Sequence, residues 1–190
     1  MPQQPVSDQN LTDIKSDENY VRGFLPLVGA QPRVLILGSA PSVASLEKQQ
    51  YYGKPQNAFW GLMGELFQAG PELAYEQRVT KLCAAGIAVW DVLAACSRSG
   101  SLDSAIDMRS AAVNEFIPFV TAHTGIRHVF FNGRKAEEIF ERRVLDQMNA
   151  LRPDIHYTCL PSTSPAMAAL NFAAKLERWS IIRSVLEEHG

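Results

Sequence analysis

The sequence is poor in cysteine, and its cysteines show no metal-binding spacing. Cys83, Cys96 and Cys159 lie far apart, and no C-x-x-C pair occurs. Disulfide frameworks need an even set of cysteines, while structural zinc and iron–sulfur sites usually need paired ones. The four histidines also lack metal-ligand spacing. We therefore expect free thiols, no bound metal and no cofactor.

Long hydrophobic runs and nucleotide-binding motifs are also missing. No apolar stretch reaches the roughly 20 residues of a membrane helix, and residues 1–20 are polar and acidic rather than signal-like. Neither G-x-G-x-x-G nor G-x-x-x-x-G-K-[ST] occurs, which disfavours dinucleotide and Walker-type phosphate binding. We expect a disordered tail over residues 1–20 and one domain over residues 21–190. We expect a monomer without membrane contact, in a cytoplasm of the bacterial type that includes the nucleoid.

Positive charge is not in excess either. The chain has 18 Lys and Arg against 20 Asp and Glu, a net charge of -2, and its pI is about 6.1. Composition alone therefore does not indicate nucleic-acid binding, because phosphate contacts usually come from Lys and Arg. Backbone amides at helix N-termini can hold phosphates without side-chain charge.

What the sequence does contain is an alternation of short apolar runs and amphipathic segments. Four runs rich in β-branched or aromatic residues, at 33–37, 87–90, 128–131 and 155–160, each lead into turn residues. Helical patterns separate them, at residues 57–67, 72–85, 113–123, 134–148 and 166–189. This alternation predicts an α/β fold with three layers, α/β/α, around a central, mainly parallel four-stranded sheet.

In such a sheet a ligand binds beyond the carboxyl ends of the strands. The segments that follow the four predicted strands are residues 38–57, 91–103, 132–135 and 161–167. The first is long for a strand-to-helix link, and long loops in compact domains are often functional. It reads GSAPSVAS and then, over residues 49–60, QQYYGKPQNAFW. The last segment, with the residue before it, reads LPSTSPAM and carries three hydroxyl side chains between two prolines.

The pairing of these two segments resembles the uracil-DNA glycosylase superfamily, and most closely its hypoxanthine (deoxyinosine) DNA glycosylase group. The segments GIAVWDVL at 86–93 and GSLDS at 100–104 resemble the same group, and the resemblance covers residues 33–179. It implies base-excision repair of damaged DNA, in which the enzyme hydrolyses the N-glycosidic bond of a flipped, deaminated base, hypoxanthine or uracil. Metal-independent action is expected from the cysteine and histidine spacing. Monofunctional action is favoured over lyase action, because no lysine is clearly placed to form a Schiff base.

The chain departs from the superfamily at two positions. Many members carry Asp or Asn two residues after the first glycine, where this chain has Ala40, and His at the start of the second motif, where it has Leu160. The hypoxanthine group is similar in lacking both, and it relies on an Asn in the P-x-N-x-F-W segment, here Asn57. The resemblance therefore implies that Asn57 is the catalytic residue. The alternative is an N-cap for the helix that begins near Ala58.

An amide suits this reaction. Cleavage passes through an oxocarbenium-like sugar while the leaving base takes up negative charge. Neutral donors in a dry pocket can stabilise such charge by about 3–4 kcal/mol each. An Asn amide has two donors and one acceptor but is a poor general base. We expect Asn57 to hydrogen-bond the base or to hold the attacking water.

The base pocket is expected to combine an aromatic platform with close-approaching backbone. By resemblance, Phe59 would stack on the flipped base, with burial in the helix core as the alternative. In that alternative, Tyr51 and Tyr52 would form the wall of the pocket instead. The remaining base-pocket residues come from the first loop and are Gly38, Ser39, Ala40 and Pro41.

The second loop is expected to contact DNA. Ser162, Thr163 and Ser164 can donate to phosphates beside the N-terminus of the last helix, with helix capping as the alternative. Related enzymes push a side chain from this loop into the gap left by the base, and Pro165 or Met167 can act as such a wedge.

Four charged residues have two interpretations each. Asp91 follows the second predicted strand; a turn or capping role is favoured over that of a carboxylate base. Lys54, Arg98 and Lys175 are candidate phosphate contacts, with a solvated surface position as the alternative.

Two other functions stay open at this point. A small-molecule hydrolase on an α/β sheet would need a nucleophilic serine, but no G-x-S-x-G elbow occurs and Ser39 and Ser42 have no evident histidine partner. A catalytically weak DNA-lesion binding module would fit the loss of polar groups at Ala40 and Leu160. Such a module would retain a damaged duplex and leave its base attached.

Overall fold

The computed structural model describes residues 19–188. The predicted tail falls outside the described residues up to position 18. Tyr20, which the sequence analysis placed in that tail, is the first residue of a strand because it pairs with Ser97. Within residues 19–188 no helix is long and apolar enough to cross a membrane.

The described part of the chain forms seven strands and eight helices. The strands are β1 (Tyr20–Arg22), β2 (Val34–Gly38), β3 (Ile87–Asp91), β4 (Leu93–Arg98), β5 (Ile106–Val113), β6 (His128–Asn132) and β7 (His156–Leu160). The helices are α1 (Val43–Lys48), α2 (Phe59–Phe67), α3 (Tyr75–Ala84), α4 (Phe116–Ala122), α5 (Arg134–Arg143), α6 (Leu145–Leu151), α7 (Phe172–Trp179) and α8 (Ile181–Glu188).

The central sheet is parallel and has the strand order β3-β2-β6-β7. This confirms the predicted α/β fold, and each of its strands lies within one residue of the predicted bounds. Every residue of β2 and β3 is buried, as their apolar runs indicate. The register pairs Gly38 with Asp91 and Asn132 with Leu160, so all four strands end at one edge of the sheet.

A second, antiparallel sheet with the order β1-β4-β5 was not predicted. Its strand β4 reads LAACSR, whose small residues have weak strand preference, and irregular register interrupts its pairing with β5. This sheet positions residues 99–105 against the first loop. Arg98 makes the connection: its guanidinium is buried and donates to the carbonyls of Gly100 and Pro41.

The two long predicted helices at the C-terminal end of the chain are each divided. The pattern at 134–148 forms α5 and α6, which meet at Val144 in a non-helical conformation. The pattern at 166–189 begins only at Phe172, because Asn171 caps α7 by accepting from the Ala174 N–H at 2.9 Å. It breaks again at Ser180, whose hydroxyl donates to the Glu177 carbonyl. The second loop therefore does not lead directly into a helix.

Candidate active site

A cavity of about 380 Å³ opens at the carboxyl edge of the parallel sheet. Its volume lies in the range of about 300–1,000 Å³ that is usual for small-ligand sites. Its walls come from all four segments that follow the parallel strands, as the position of the sheet predicts. One residue from each segment illustrates this: Ser39, Asp91, Asn132 and Ser164.

The first loop forms one wall of the cavity and is held in place by polar contacts. Gly38, Ser39, Ala40 and Pro41 all line it. The Ser39 hydroxyl donates to Asp103 Oδ1 at 2.5 Å, which ties this loop to the turn before β5. The predicted pocket residues of the first loop thus lie together, and their role toward a base stays a prediction.

Asn57 also lines the cavity, and its amide has two different ends. The side-chain Oδ1 accepts from the Phe59 N–H at 2.9 Å, although the N-cap residue of α2 is Ala58, so Asn57 fixes the turn just before the helix. Among the described residues, nothing accepts a hydrogen bond from Nδ2. The oxygen therefore fixes the side chain on the start of α2 while the nitrogen remains available as a donor. Its catalytic role stays a prediction.

The structure corrects the expectation for Phe59. This ring is fully buried and is not among the residues that line the cavity. It packs edge-to-face against Trp60 and Trp179, with ring centroids 5.0 and 6.0 Å away. Its other face stacks on Tyr52 at 3.9 Å. Tyr52 is therefore an aromatic wall of the cavity, which Phe24 and Tyr51 also line, and Phe59 supports it from the hydrophobic interior.

Asp91, for which a turn or capping role was favoured, has the surroundings of a functional carboxyl group. It is only 3% exposed, it lines the cavity, and its Oδ2 has no hydrogen-bond partner among the described residues. Burial, and next the charge of Asp103, raise the pKa of Asp91 to about 7, although Arg98 opposes the shift. The signal available in the sequence was its place directly at the carboxyl end of a buried strand.

Gly38 allows this carboxyl group to approach the first loop. A Cβ at Gly38 would lie 2.5 Å from Asp91 Oδ1 and 3.2 Å from the Tyr52 hydroxyl. The first distance is shorter than carbon–oxygen contacts allow, so any side chain at Gly38 would displace the carboxylate. The glycine is required by this close approach.

Thr163 holds two loops together and is not exposed. It is 1% exposed; its hydroxyl accepts from Asn132 Nδ2 at 2.9 Å, and its N–H donates to Asn132 Oδ1 at 2.8 Å. Its carbonyl accepts from the Ala58 N–H at the start of α2. The expectation that Thr163 contacts DNA is corrected, because both its hydroxyl and its backbone are engaged inside the protein.

The rest of the second loop faces the cavity mouth. Ser162 and Ser164 are half-buried and line the cavity, while Pro165 is exposed. Met167 is 39% exposed and lines the mouth. Because α7 begins at Phe172, the helix N-terminus that we expected beside the serines is absent from this loop.

The cations at the mouth differ from the predicted ones. Arg98 and Lys175 are buried, and Lys175 Nζ donates to the Met167 carbonyl at 3.0 Å, so both are structural. Lys54 is exposed, as its surface interpretation predicts. Instead, Arg134 and Lys135 line the cavity from the first turn of α5. Both residues lie in the segment 132–135 that follows the third predicted strand, but neither was predicted as a phosphate contact.

Residues 19–188 contain no group of three or more His, Cys, Asp or Glu side chains that could hold a metal ion.

Comparisons with known proteins agree on one family. The uracil DNA glycosylase superfamily matches residues 25–183. Two proteins named hypoxanthine DNA glycosylase, from Methanosarcina acetivorans and Methanosarcina barkeri, are 42% and 36% identical over 118 and 120 residues. Each match spans 62% of this chain and 73% of the relative. The solution NMR structure of a candidate uracil DNA glycosylase from Methanosarcina acetivorans has a TM-score of 0.72 and 34% identity, covering 87% of this chain and 98% of that one.

Proposed function

This chain belongs to the uracil DNA glycosylase superfamily, and on that premise we propose that it hydrolyses the N-glycosidic bond of a deaminated base, hypoxanthine or uracil, in DNA. The observation that carries the proposal is a single cavity at the sheet edge that holds the Asn57 amide and the Tyr52 ring together. The relatives named hypoxanthine DNA glycosylase support the choice of base.

The reaction needs the target base to leave the duplex, which costs a few kcal/mol. The extruded base enters the cavity and lies against Tyr52, whose ring is held by Phe59. As the glycosidic bond lengthens, negative charge develops on the base. Asn57 Nδ2 donates to that charge, and its position is fixed by the hydrogen bond from the Phe59 N–H to its oxygen. The C1′–N bond breaks, water forms the new C1′–O bond, and the proton that the water loses neutralises the departing base, so the products are a neutral free base and an abasic site.

The DNA strand lies across the mouth of the cavity. Ser162 and Ser164 contact the backbone, and Lys135 supplies positive charge beside it, next to Arg134, which is paired with Glu137 and Glu138. Met167 is the wedge that fills the gap left by the base, since it is both exposed and at the mouth. The enzyme acts as a monomer in the compartment that holds the chromosome.

The geometry does not favour the two other functions. The Ser39 hydroxyl, which a hydrolase would use as nucleophile, donates to Asp103, and no histidine is among the residues that line the cavity. A DNA-lesion binding module without catalytic activity would not require a fixed amide donor at Asn57. No structural observation specifically supports either alternative function.

One experiment tests the proposed function against both alternatives. The protein is incubated with EDTA and short duplexes that carry one deoxyinosine or one deoxyuridine, and alkali-labile sites are measured. We expect release of the base, and strand cleavage only after alkali, as for a monofunctional enzyme. Retention of the duplex without base release would identify a binding module, and indifference to both duplexes would overturn the proposal.

A further inference from the structure

Two buried polar atoms at the floor of the cavity have no hydrogen-bond partner. They are Asp91 Oδ2 and the Tyr52 hydroxyl, and among the described residues only the Tyr157 hydroxyl shares this condition. Buried polar groups in folded proteins are almost always hydrogen-bonded. Tyr157 does not line the cavity, whereas Asp91 and Tyr52 both do. Two such atoms in one ligand-sized cavity therefore indicate that the ligand supplies their partners.

The two groups flank the same point without bonding to each other. Both approach Gly38, whose missing Cβ would lie 2.5 Å from Asp91 Oδ1 and 3.2 Å from the Tyr52 hydroxyl. Asn132 lies beside that hydroxyl, but its amide is held by Thr163, to which Nδ2 donates and from which Oδ1 accepts, and no bond to Tyr52 has hydrogen-bond distance and angle. An unpartnered carboxylate and an unpartnered hydroxyl thus lie beside the same glycine, in two residues that line the cavity.

This pair has the hydrogen-bonding pattern opposite to that of a deaminated base edge. Deamination of adenine or cytosine turns a ring nitrogen acceptor into an N–H donor and the neighbouring amino group into a carbonyl acceptor. Hypoxanthine and uracil share this lactam edge. A carboxylate accepts from its N–H but repels the lone pair of the ring nitrogen in the undeaminated base.

We propose that Asp91 and Tyr52 together read the lactam edge, with Asp91 accepting from the ring N–H and the Tyr52 hydroxyl donating to the adjacent carbonyl. The inference rests on the proposed function and specifies which atoms of the base the site selects. Asp91 and Tyr52 act here as specificity-determining residues. Asn57 has a different role and assists cleavage of the glycosidic bond.

The test compares two target bases that differ only at this edge. One duplex carries hypoxanthine, and the other carries unsubstituted purine, which has a ring nitrogen acceptor at N1 and no carbonyl at C6. Single-turnover excision rates are measured for the wild type, Asp91→Asn and Tyr52→Phe. The ratio of the two rates is the readout, because intrinsic differences in leaving-group ability cancel when variants are compared.

We expect the hypoxanthine-to-purine ratio to fall at least about tenfold in each variant, the scale of a hydrogen bond to a charged or buried group. Asp91→Asn removes the charge and can present an NH₂ to purine N1. Tyr52→Phe keeps the ring on Phe59 and removes only the hydroxyl. Tyr157→Phe is the matched control, since it deletes the other unpartnered hydroxyl, which lies outside the cavity, and should leave the ratio unchanged.

Equal losses on both bases in Asp91→Asn and Tyr52→Phe, or no loss on either, would overturn the edge-reading inference while leaving the glycosylase intact. A wild-type protein that excises neither base would instead refute the proposed function itself. Thermal unfolding of each variant shows that it is folded before its ratio is read.

Discussion

The ring of Tyr52 lies on the ring of Phe59 with centroids 3.9 Å apart and an angle of 22° between their planes. One face of this stack belongs to the cavity and the other to the core. Tyr52 has a left-handed backbone conformation with φ of 54°, which is uncommon for a bulky residue. The stack therefore fixes the cavity wall through the interior of the protein.

Phe59→Leu should weaken the wall without touching the ligand. We expect the free energy of unfolding to fall by roughly 1–3 kcal/mol, and the excision rate of the folded enzyme to fall as Tyr52 loses its support. Phe130→Leu is a suitable control, because Phe130 is equally buried but lies in β6. Urea unfolding and single-turnover excision separate the effects. Equal activity in the two variants at full folding would show that the stack has no part in the site.

Gly38→Ala should disrupt the floor of the cavity. The added methyl group would lie 2.5 Å from Asp91 Oδ1, so the carboxyl group must move, and we expect a loss of roughly 1–3 kcal/mol in unfolding free energy. A second substitution, Asp91→Ala, should recover most of that stability and none of the activity. Thermal unfolding of the single and double variants measures the coupling; strictly additive effects would contradict the close approach.

Asp91 should make the stability of the protein depend on pH. Its pKa is about 7 in the folded protein against 3.8 normally, so the stability that its neutral form provides is full below about pH 4 and is lost as the pH rises through 7. Asp91→Asn should therefore have little effect near pH 4 and should stabilise the protein at pH 8, with a ceiling of about 4 kcal/mol. Denaturant unfolding across this range tests the sign. A difference that does not change with pH would contradict it.

Lys135→Ala should weaken DNA binding without changing base preference. Lys135 lines the mouth of the cavity, and loss of one phosphate contact should reduce the slope of log affinity against log salt by about 1. Lys81→Ala is the matched control, since Lys81 is exposed on α3 and does not line the cavity. The measurement is a fluorescence anisotropy titration with undamaged and deoxyinosine duplexes at several salt concentrations. Identical slopes for the two variants would remove Lys135 from the interface.

The architecture was predictable because it depends on continuous apolar runs. The parallel strands were located within one residue, and their carboxyl edge identified the segments that form the cavity. The antiparallel sheet was not predicted, since β4 is built from small residues whose pairing depends on long-range contacts. The start of α7 was missed because helical periodicity continues through residues that the Asn171 cap excludes.

Individual side chains were harder to assign than segments. Phe59 and Tyr52 are both aromatic residues near one helix start, and periodicity does not reveal which of them faces the cavity. Thr163 and Ser164 are neighbours that both carry a hydroxyl group. Yet Thr163 is buried and accepts a hydrogen bond from Asn132, whereas Ser164 lies at the cavity. For Asp91, a turn residue and a buried carboxylate have the same sequence signature. These distinctions arise from tertiary packing, which residue type and periodicity in a single sequence do not predict.

The most direct test of the account is the single-turnover excision of hypoxanthine by Asn57→Asp. The aspartate keeps an oxygen that can accept from the Phe59 N–H, as Asn57 Oδ1 does at 2.9 Å, but it has no N–H to donate to the leaving base. We predict wild-type thermal stability and a rate at least about a hundredfold lower. A folded Asn57→Asp enzyme that excises hypoxanthine at the wild-type rate would show that Asn57 only fixes the turn before α2, and would contradict the proposed catalytic role.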